Sequence, residues 1–199
     1  MKTPKERPVL DVKDCLGGEH AGERAMKELE YPIREWTDPT VDKSTWPDGP
    51  WKTEPDKIQW VDELSQLDCL MVRNHMGSWC GYVGVDSAHP YYKRGYDDAG
   101  HLDCHGGLNY AAPCSESEYD YAGICHIPYP GRPHDIWWFG FDCAHFMDRM
   151  PRHESMMREL GYPPRRMREH EERYRDRAYV EKECRRLAAQ LAAIGRNAP

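Results

Sequence analysis

Four short segments between residues 58 and 141 have the composition of β-strands, and they constrain the fold more than any other feature. Each is rich in β-branched or aromatic residues and is bounded by turn-forming residues. The four segments are IQWV (58–61), CLMVRN (69–74), WCGYVGV (79–85) and DIWWFGF (135–141). No strand-helix-strand alternation long enough for a doubly wound sheet connects them. The sequence therefore predicts an α+β protein with a small antiparallel sheet, long loops and a C-terminal helix.

The pattern becomes helical after Pro151. RHESMMREL (152–160) precedes Gly161, a residue type that commonly follows the last turn of a helix. No Gly or Pro occurs between Arg165 and Ile194, and apolar residues recur there every three or four positions. We predict that this apolar stripe packs on its own domain, and a homodimer formed through the same helix is the alternative. The stripe consists of Val180, Cys184, Leu187, Leu191 and Ile194.

These patterns divide the chain into three parts. Residues 1–56 are predicted to form an irregular N-terminal segment with one short helix at 21–30. Within this part, the proline-rich stretch 37–56 carries Trp46 and Trp51 and is predicted to be a loop held by aromatic side chains. Residues 57–150 are predicted to form the β-rich core with the candidate site, and residues 151–199 are predicted to form the C-terminal helices.

Composition limits the class of protein. The hydrophobic share is 39% and the mean hydropathy is −0.89, and no apolar run reaches the length of a membrane span. The N-terminal residues lack the apolar region of a signal peptide, so we expect a soluble, cytoplasmic protein. Most of the chain is acidic and only the part after residue 148 is net basic, which argues against an extended nucleic-acid surface.

The eight cysteines are all at least ten residues apart, so the chain has no CxxC pair to nucleate a zinc knuckle. In a chain without a signal peptide, cysteines are more often reduced thiols than disulfides. We therefore expect most of them to be small buried hydrophobic residues.

Aspartate and histidine residues follow predicted strands in three segments. Asp86 and His89 follow the third strand, His105 precedes two glycines, and Asp142, His145 and Asp148 follow the strand with two tryptophans. Loops at strand ends can converge on a rigid sheet.

Imidazole nitrogens and carboxylate oxygens are metal ligands. The sequence predicts a divalent metal site, with zinc as the first candidate, whose ligands are His105, Asp142 and His145. Asp148 is expected to act as a catalytic base or fourth ligand, and His89 is a further catalytic candidate.

Two other interpretations remain open for these residues. In a structural role, Asp142 caps the turn, His145 bonds to backbone and Asp148 caps the next helix. In a recognition role, Gly106 and Gly107 let backbone approach a ligand while Tyr110 or Trp138 stacks on a base. The leading functional hypothesis is a metal-assisted hydrolase of a small phosphorylated or nucleotide-like substrate. The alternative is a non-enzymatic binder that sequesters a nucleotide messenger or inhibits a host defence protein.

Several longer strings resemble a family of small bacteriophage and prophage proteins, most clearly through the HGGL and WWFGFDCAH motifs. The strings are PWKTEPDKIQW (50–60), LDCLMVRNHMGSWCGYVGV (67–85), CHGGLNY (104–110), GICHIPYPGRPHDIWWFGFDCAHFMD (123–148) and YRDRAYV (174–180). This resemblance implies a phage accessory protein that acts in the host-cell cytoplasm, and it implies no particular reaction. Proteins of this kind often modify host defence or metabolism, which makes nucleotides candidate ligands by association.

Overall fold

The computed structural model describes residues 31–115, 117–162 and 172–196. The chain divides into two units, Met1–Tyr31 and Pro32–Pro199, and all strands and helices named below belong to the second unit. The helix predicted at 21–30 lies outside the described residues, as does the start of the helix predicted from residue 165.

One antiparallel sheet of six strands forms the centre of the fold, in the order β1-β2-β3-β4-β6-β5. Together with two helices it confirms the predicted α+β class. The strands are β1 (Arg34–Trp36), β2 (Lys57–Val61), β3 (Asp68–Arg73), β4 (Trp79–Val85), β5 (Tyr110–Pro113) and β6 (Trp137–Asp142). The helices are α1 (Pro151–Glu159) and α2 (Arg177–Arg196), and a 3-10 turn spans Pro50–Lys52.

The four predicted strands correspond to β2, β3, β4 and β6. The sequence did not predict β1 or β5, because these strands have three and four residues and lack a strand-like run of apolar side chains. Gly161 has a φ of +81° just beyond α1, which confirms the predicted helix end.

One face of the sheet, which we call the helix face, is covered by α2. The residues of the predicted stripe at 180, 184, 187 and 191 are fully buried there, and Ile194 is partly buried against the same core. The stripe therefore packs on its own domain, as predicted. The large side chains of the sheet that complete this core include Ile58, Trp60, Met71, Val83, Phe139 and Phe141.

The opposite face, which we call the loop face, is covered by the long connection between β5 and β6. Its apolar core is smaller and contains Leu70, Tyr82 and Trp138. Lys57 and Gln59 alternate with the apolar residues of β2 and are buried on this side. The amide of Gln59 bonds to both backbone groups of Ile127, at 2.7 and 2.9 Å, and so fastens the connection to the sheet.

The proline-rich stretch before β2 is a loop held by aromatics, as predicted. Trp46 and Trp51 are almost fully buried, and the Trp51 indole donates a hydrogen bond to the Pro47 carbonyl at 2.8 Å. Within the described residues no helix is both long and apolar enough to cross a membrane.

Five cysteines are free and buried, in agreement with the expected hydrophobic role: Cys69, Cys80, Cys104, Cys143 and Cys184. Cys15 lies outside the described residues. The expectation of reduced thiols is wrong for Cys114 and Cys125, which form a disulfide. The antiparallel bridge between Ser115 and Ile124 brings the two cysteines together, and spacing along the sequence does not reveal that contact.

Candidate metal centre

His105, His145 and Asp148 come together at one edge of the helix face. His105 lies in the connection that leads into β5, and the other two residues lie in the turn after β6. Since β5 and β6 pair in an antiparallel way, the start of β5 lies beside the end of β6. One ligand atom from each of the three side chains lies within 4.8 Å of the others.

His105 and Asp148 are in direct contact, and His145 stands slightly apart from them. The distance from His105 Nε2 to Asp148 Oδ2 is 2.7 Å, and His145 Nδ1 is 3.7 Å from the same oxygen. The side chain of Asp148 is only 1% exposed, whereas that of His145 is 38% exposed. The carboxylate of Asp148 is therefore buried, whereas the imidazole of His145 is partly accessible to solvent.

Asp148 is held in place by several donors. Arg175 Nε donates to Oδ1 at 2.8 Å, and the backbone amide of His145 donates to Oδ2 at 3.1 Å. Burial raises the pKa of this carboxyl, but the hydrogen bonds from Arg175 and His105 outweigh burial and lower the pKa. Asp148 is therefore an anion at neutral pH, as a metal ligand must be.

The second ring nitrogen of His105 contacts α2. His105 Nδ1 is 3.0 Å from the hydroxyl of Tyr179, and the guanidinium of Arg175 lies 4.7 Å from the centre of the Tyr179 ring. Burial raises the pKa of Tyr179, so its hydroxyl keeps its proton at neutral pH. A neutral hydroxyl can donate to or accept from the imidazole, and this contact fixes the ring orientation.

The Nδ1 atom of His145 is buried and has no hydrogen-bond partner in the described structure. The ring lies directly over Gly106, where a Cβ atom would be 2.2 Å from His145 Cε1. Gly106 also has a φ of +68°, which favours glycine. Gly107 has a φ of +86°, but apart from its two chain neighbours no described residue has an atom within 4 Å of the place where its Cβ would be.

These observations fit a metal ion held by three side chains. The partnerless Nδ1 of His145 needs a partner, since an unsatisfied buried polar atom is costly. Nε2 of His105 and Oδ2 of Asp148 are 2.7 Å apart, and the three side chains offer ligand atoms that all lie within 4.8 Å of one another. Two imidazoles and one carboxylate are a ligand set that suits zinc and other divalent transition metals.

Asp142 lies beside this group and does not belong to the three-ligand set. Asn109 donates to its Oδ2, the Ala144 amide donates to its Oδ1 at 2.9 Å, and His145 Nδ1 is 3.7 Å away. The predicted turn-capping role of Asp142 is therefore present. The predicted helix-capping role of Asp148 is not, because Met150 is the residue before α1 and no side chain of the described residues caps that helix end.

His89, proposed as catalytic, lies apart from the metal group. Its Nε2 is 2.9 Å from the Leu191 carbonyl and its Nδ1 accepts from the Tyr91 amide at 3.0 Å. Both nitrogens bond to backbone, about three helical turns along α2 from Tyr179. The structure therefore gives His89 a structural role.

The two aromatic residues proposed to bind a ligand belong to the loop face. Trp138 is completely buried in its core, and Tyr110 is half-buried with its ring 5.3 Å from that of Tyr82. Neither of them is part of the three-ligand group. The alternation of β6 places Trp137 against the core of the opposite face, as a strand requires.

A second group of ligand-type side chains, formed by Cys114, Cys125 and His126, was not predicted from the sequence. It lies on the loop face, and His126 is only 4% exposed. Burial lowers the pKa of His126, which keeps its imidazole neutral at neutral pH. The adjacent pair Cys125-His126 was the only local signal, because Cys114 reaches the pair through the folding of the loop.

Arg175 and Tyr179, which position the first group, were also missed. The sequence placed both inside the helix predicted from residue 165 and gave no sign that they contact residues more than 25 positions earlier. Comparison with protein-family models, with curated proteins and with solved structures gave no match.

Proposed function

We propose that the protein is a metal-dependent hydrolase whose metal is held by His105, His145 and Asp148. The observation that carries this proposal is the buried, partnerless Nδ1 of His145, which faces the carboxylate of Asp148 beside a second imidazole. Three protein ligands leave a coordination position for water or substrate, as in catalytic zinc sites. A bound divalent ion would supply an activated water and would polarise the bond to be broken.

Asp142 is the residue best placed to accept a proton from an attacking water. Its side chain is 32% exposed, whereas Asp148 is buried and already accepts hydrogen bonds on both oxygens. Asn109 and the Ala144 amide hold the Asp142 carboxylate in one orientation. In this proposal Asp148 is a metal ligand, which is one of the two roles that the sequence left open for it, and Asp142 changes from expected ligand to base.

The charge of the site favours an anionic substrate. Arg175 already balances Asp148, so a divalent ion would leave the group positive even with Asp142 ionised. Phe146, the chain neighbour of His145, is 77% exposed and is an apolar group that a substrate could contact. A small phosphorylated or nucleotide-like substrate combines both properties, and zinc is the first metal to test.

Metal binding and turnover are tested separately on the full chain. Zinc and manganese are titrated by calorimetry into metal-free wild-type protein and into the His145→Gln and Asp148→Asn variants. We expect one metal in this site, with each substitution weakening binding by at least about 10 to 100-fold. Equal affinity in wild type and both variants would contradict the proposal. His89→Gln is the control and is expected to bind metal like wild type.

Hydrolysis is then followed with p-nitrophenyl phosphate and a panel of nucleotides, with and without chelator. We expect product only with metal, and loss of at least about 100-fold in kcat for Asp142→Asn with metal affinity kept.

A second function, a binder that sequesters its ligand without turnover, is favoured by one observation. The 2.7 Å contact between His105 and Asp148 is already a good hydrogen bond without an ion. In that case a nucleotide bound by the protein is released intact on heat denaturation, and added metal leaves the melting temperature unchanged.

A further inference from the structure

The second group of ligand-type residues joins the two ends of the loop segment 114–125. Cys114 directly follows β5, and Cys125 and His126 return to its side through the bridge between Ser115 and Ile124. Gly123, with a φ of +75°, permits this return, because a Cβ there would lie 2.5 Å from the Ser115 carbonyl oxygen. The loop thus places two sulfur atoms and an imidazole together by backbone geometry.

His126 is aimed at the sulfur atoms and is almost fully buried. Its Nε2 is 3.2 Å from the Pro133 carbonyl oxygen, which can only accept, so the ring proton belongs on Nε2. The unprotonated Nδ1 then faces Cys114 Sγ at 4.0 Å. A disulfide sulfur has no hydrogen to donate, so this contact leaves the lone pair of Nδ1 without a donor.

The surroundings of Cys114 suit a thiolate as well as a disulfide. The indole Nε1–H of Trp138 lies 3.5 Å from Cys114 Sγ and points a donor at it. Such donors stabilise negative charge on sulfur, and outer-shell hydrogen bonds of this kind are typical of metal sites.

We propose that the reduced protein binds a zinc-type ion through Cys114 Sγ, Cys125 Sγ and His126 Nδ1, with water as the fourth ligand. The disulfide is the oxidised, metal-free state of the same site. Two thiolates and one imidazole are a soft ligand set that selects zinc over magnesium or calcium. This site is independent of the His105, His145 and Asp148 group, which contains no sulfur.

The two states interconvert by thiol-disulfide exchange with an external dithiol or disulfide compound. The dithiol transfers two electrons and two protons to the bond between Cys114 and Cys125, and is itself oxidised to a disulfide. Binding of the ion then displaces the two thiol protons. In the reverse direction an external disulfide accepts two electrons from the two thiolates and two protons from solvent, the bond between Cys114 and Cys125 forms again and the ion is released.

Both states keep the ends of the loop together. This loop continues into the connection that covers the loop face, where Gln59 bonds to Ile127 and Arg132 bonds to Asp68. The connection between β5 and β6 is therefore held on the loop face under both oxidising and reducing conditions. Oxidation of the two thiolates to the disulfide releases the metal.

Cobalt spectroscopy tests the proposal, because thiolate ligands give Co²⁺ an intense charge-transfer absorption that imidazole and carboxylate ligands do not give. Wild-type protein is reduced, freed of metal and titrated with Co²⁺. We expect the thiolate absorption with one equivalent at this site, and its loss on addition of an oxidised small-molecule disulfide. Absence of the absorption from folded, reduced wild-type protein would overturn the proposal.

Variants assign the absorption to these residues rather than to the other thiols of the chain. The Cys114→Ser and Cys125→Ser double variant is expected to lose it, whereas Cys80→Ser, which alters a nearby buried thiol, keeps it. His126→Asn retains both thiols and is expected to bind Co²⁺ more weakly by on the order of 100-fold. An absorption that persists in the double variant would also overturn the proposal. Circular dichroism verifies that each variant is folded.

Discussion

On the helix face, a continuous apolar stripe of α2 packs against large side chains of the sheet, whereas on the loop face buried polar residues bond to an irregular connection. A helix satisfies its own backbone and can cover a sheet by apolar contact alone. An irregular connection has backbone groups that need partners, so the sheet beneath it supplies Gln59 and Lys57. Asp68 adds an ion pair with the side chain of Arg132.

The difference extends to the two ligand groups. The group on the helix face is oriented by Arg175 and Tyr179, which belong to α2 or directly precede it. The group on the loop face is assembled by the loop itself. We therefore expect the first group to depend on apolar packing and the second to depend on covalent or metal cross-linking.

The largest effect is expected for Leu187→Ala on the helix face. Leu187 is fully buried, and removing its side chain leaves a cavity that should lower the free energy of unfolding by about 2–5 kcal/mol. Leu64→Ala, at a side chain that is 92% exposed, is the control and should change it by less than about 0.5 kcal/mol. Urea denaturation measures both variants. Equal small effects would mean that α2 does not cover the sheet.

Loss of the disulfide is the next largest effect and concerns the loop face. The disulfide closes a loop with a sequence separation of 11, so the Cys114→Ser and Cys125→Ser double variant should lose roughly 3 kcal/mol under oxidising conditions. Under reducing conditions with chelator present, wild type and the variant should unfold at the same denaturant concentration. A difference that persists there would show that the substitutions act through packing.

The pH dependence of the free energy of unfolding tests whether the loop face buries the charge of Lys57. Burial lowers its pKa from 10.5 to about 8, so the folded state releases this proton before the unfolded state does. The charged form therefore weakens the fold below pH 8, and this cost disappears as pH rises from 8 to 10.5. Lys57→Met removes this cost together with the hydrogen bond from Lys57 to the Ala122 carbonyl, so the two changes oppose each other and the free energy of unfolding at pH 7 should change by less than about 2 kcal/mol. The stability of this variant relative to wild type should fall as the pH rises from 8 to 10.5, and a constant difference would refute the assignment.

The smallest effect on stability is expected for two adjacent glycines at the metal group. Gly106→Ala and Gly107→Ala should each cost about 1–2 kcal/mol, since both positions have positive φ. Only Gly106→Ala places a Cβ against the ring of His145, so only this variant should lose metal affinity, by at least about 10-fold. Calorimetric titration of both variants with zinc provides the measurement. Equal affinities of the two variants for zinc would mean that His145 is not a metal ligand.

Much of the fold was predictable because local patterns reflect burial. Segments rich in β-branched or aromatic residues and bounded by turn-forming residues identified β2, β3, β4 and β6, which are four of the six strands of the sheet. The spacing of the α2 stripe identified its buried face. Two strands escaped prediction because β1 and β5 depend on pairing with longer neighbours rather than on their own residues.

The candidate site was predictable in part. The sequence singled out His105, His145 and Asp148 because each is a ligand-type residue next to a strand end. It did not separate Asp142 from the ligand set. It also proposed a catalytic role for His89, and it did not reveal that both ring nitrogens of this residue bond to backbone. One partner of each residue, Leu191 for His89 and Asn109 for Asp142, lies far away in sequence, so residue type and spacing do not reveal it.

The sequence by itself determined which residues are apolar, where the strands of the core lie and which chain segments carry ligand-type side chains. The tertiary structure decided which of these side chains meet. Antiparallel pairing of β5 with β6 brought His105 to Asp148, and packing of α2 added Arg175 and Tyr179. The bridge between Ser115 and Ile124 brought Cys114 to Cys125. The physical reason is that local patterns record how each segment is buried, whereas contacts between segments arise only when the sheet and its covers assemble.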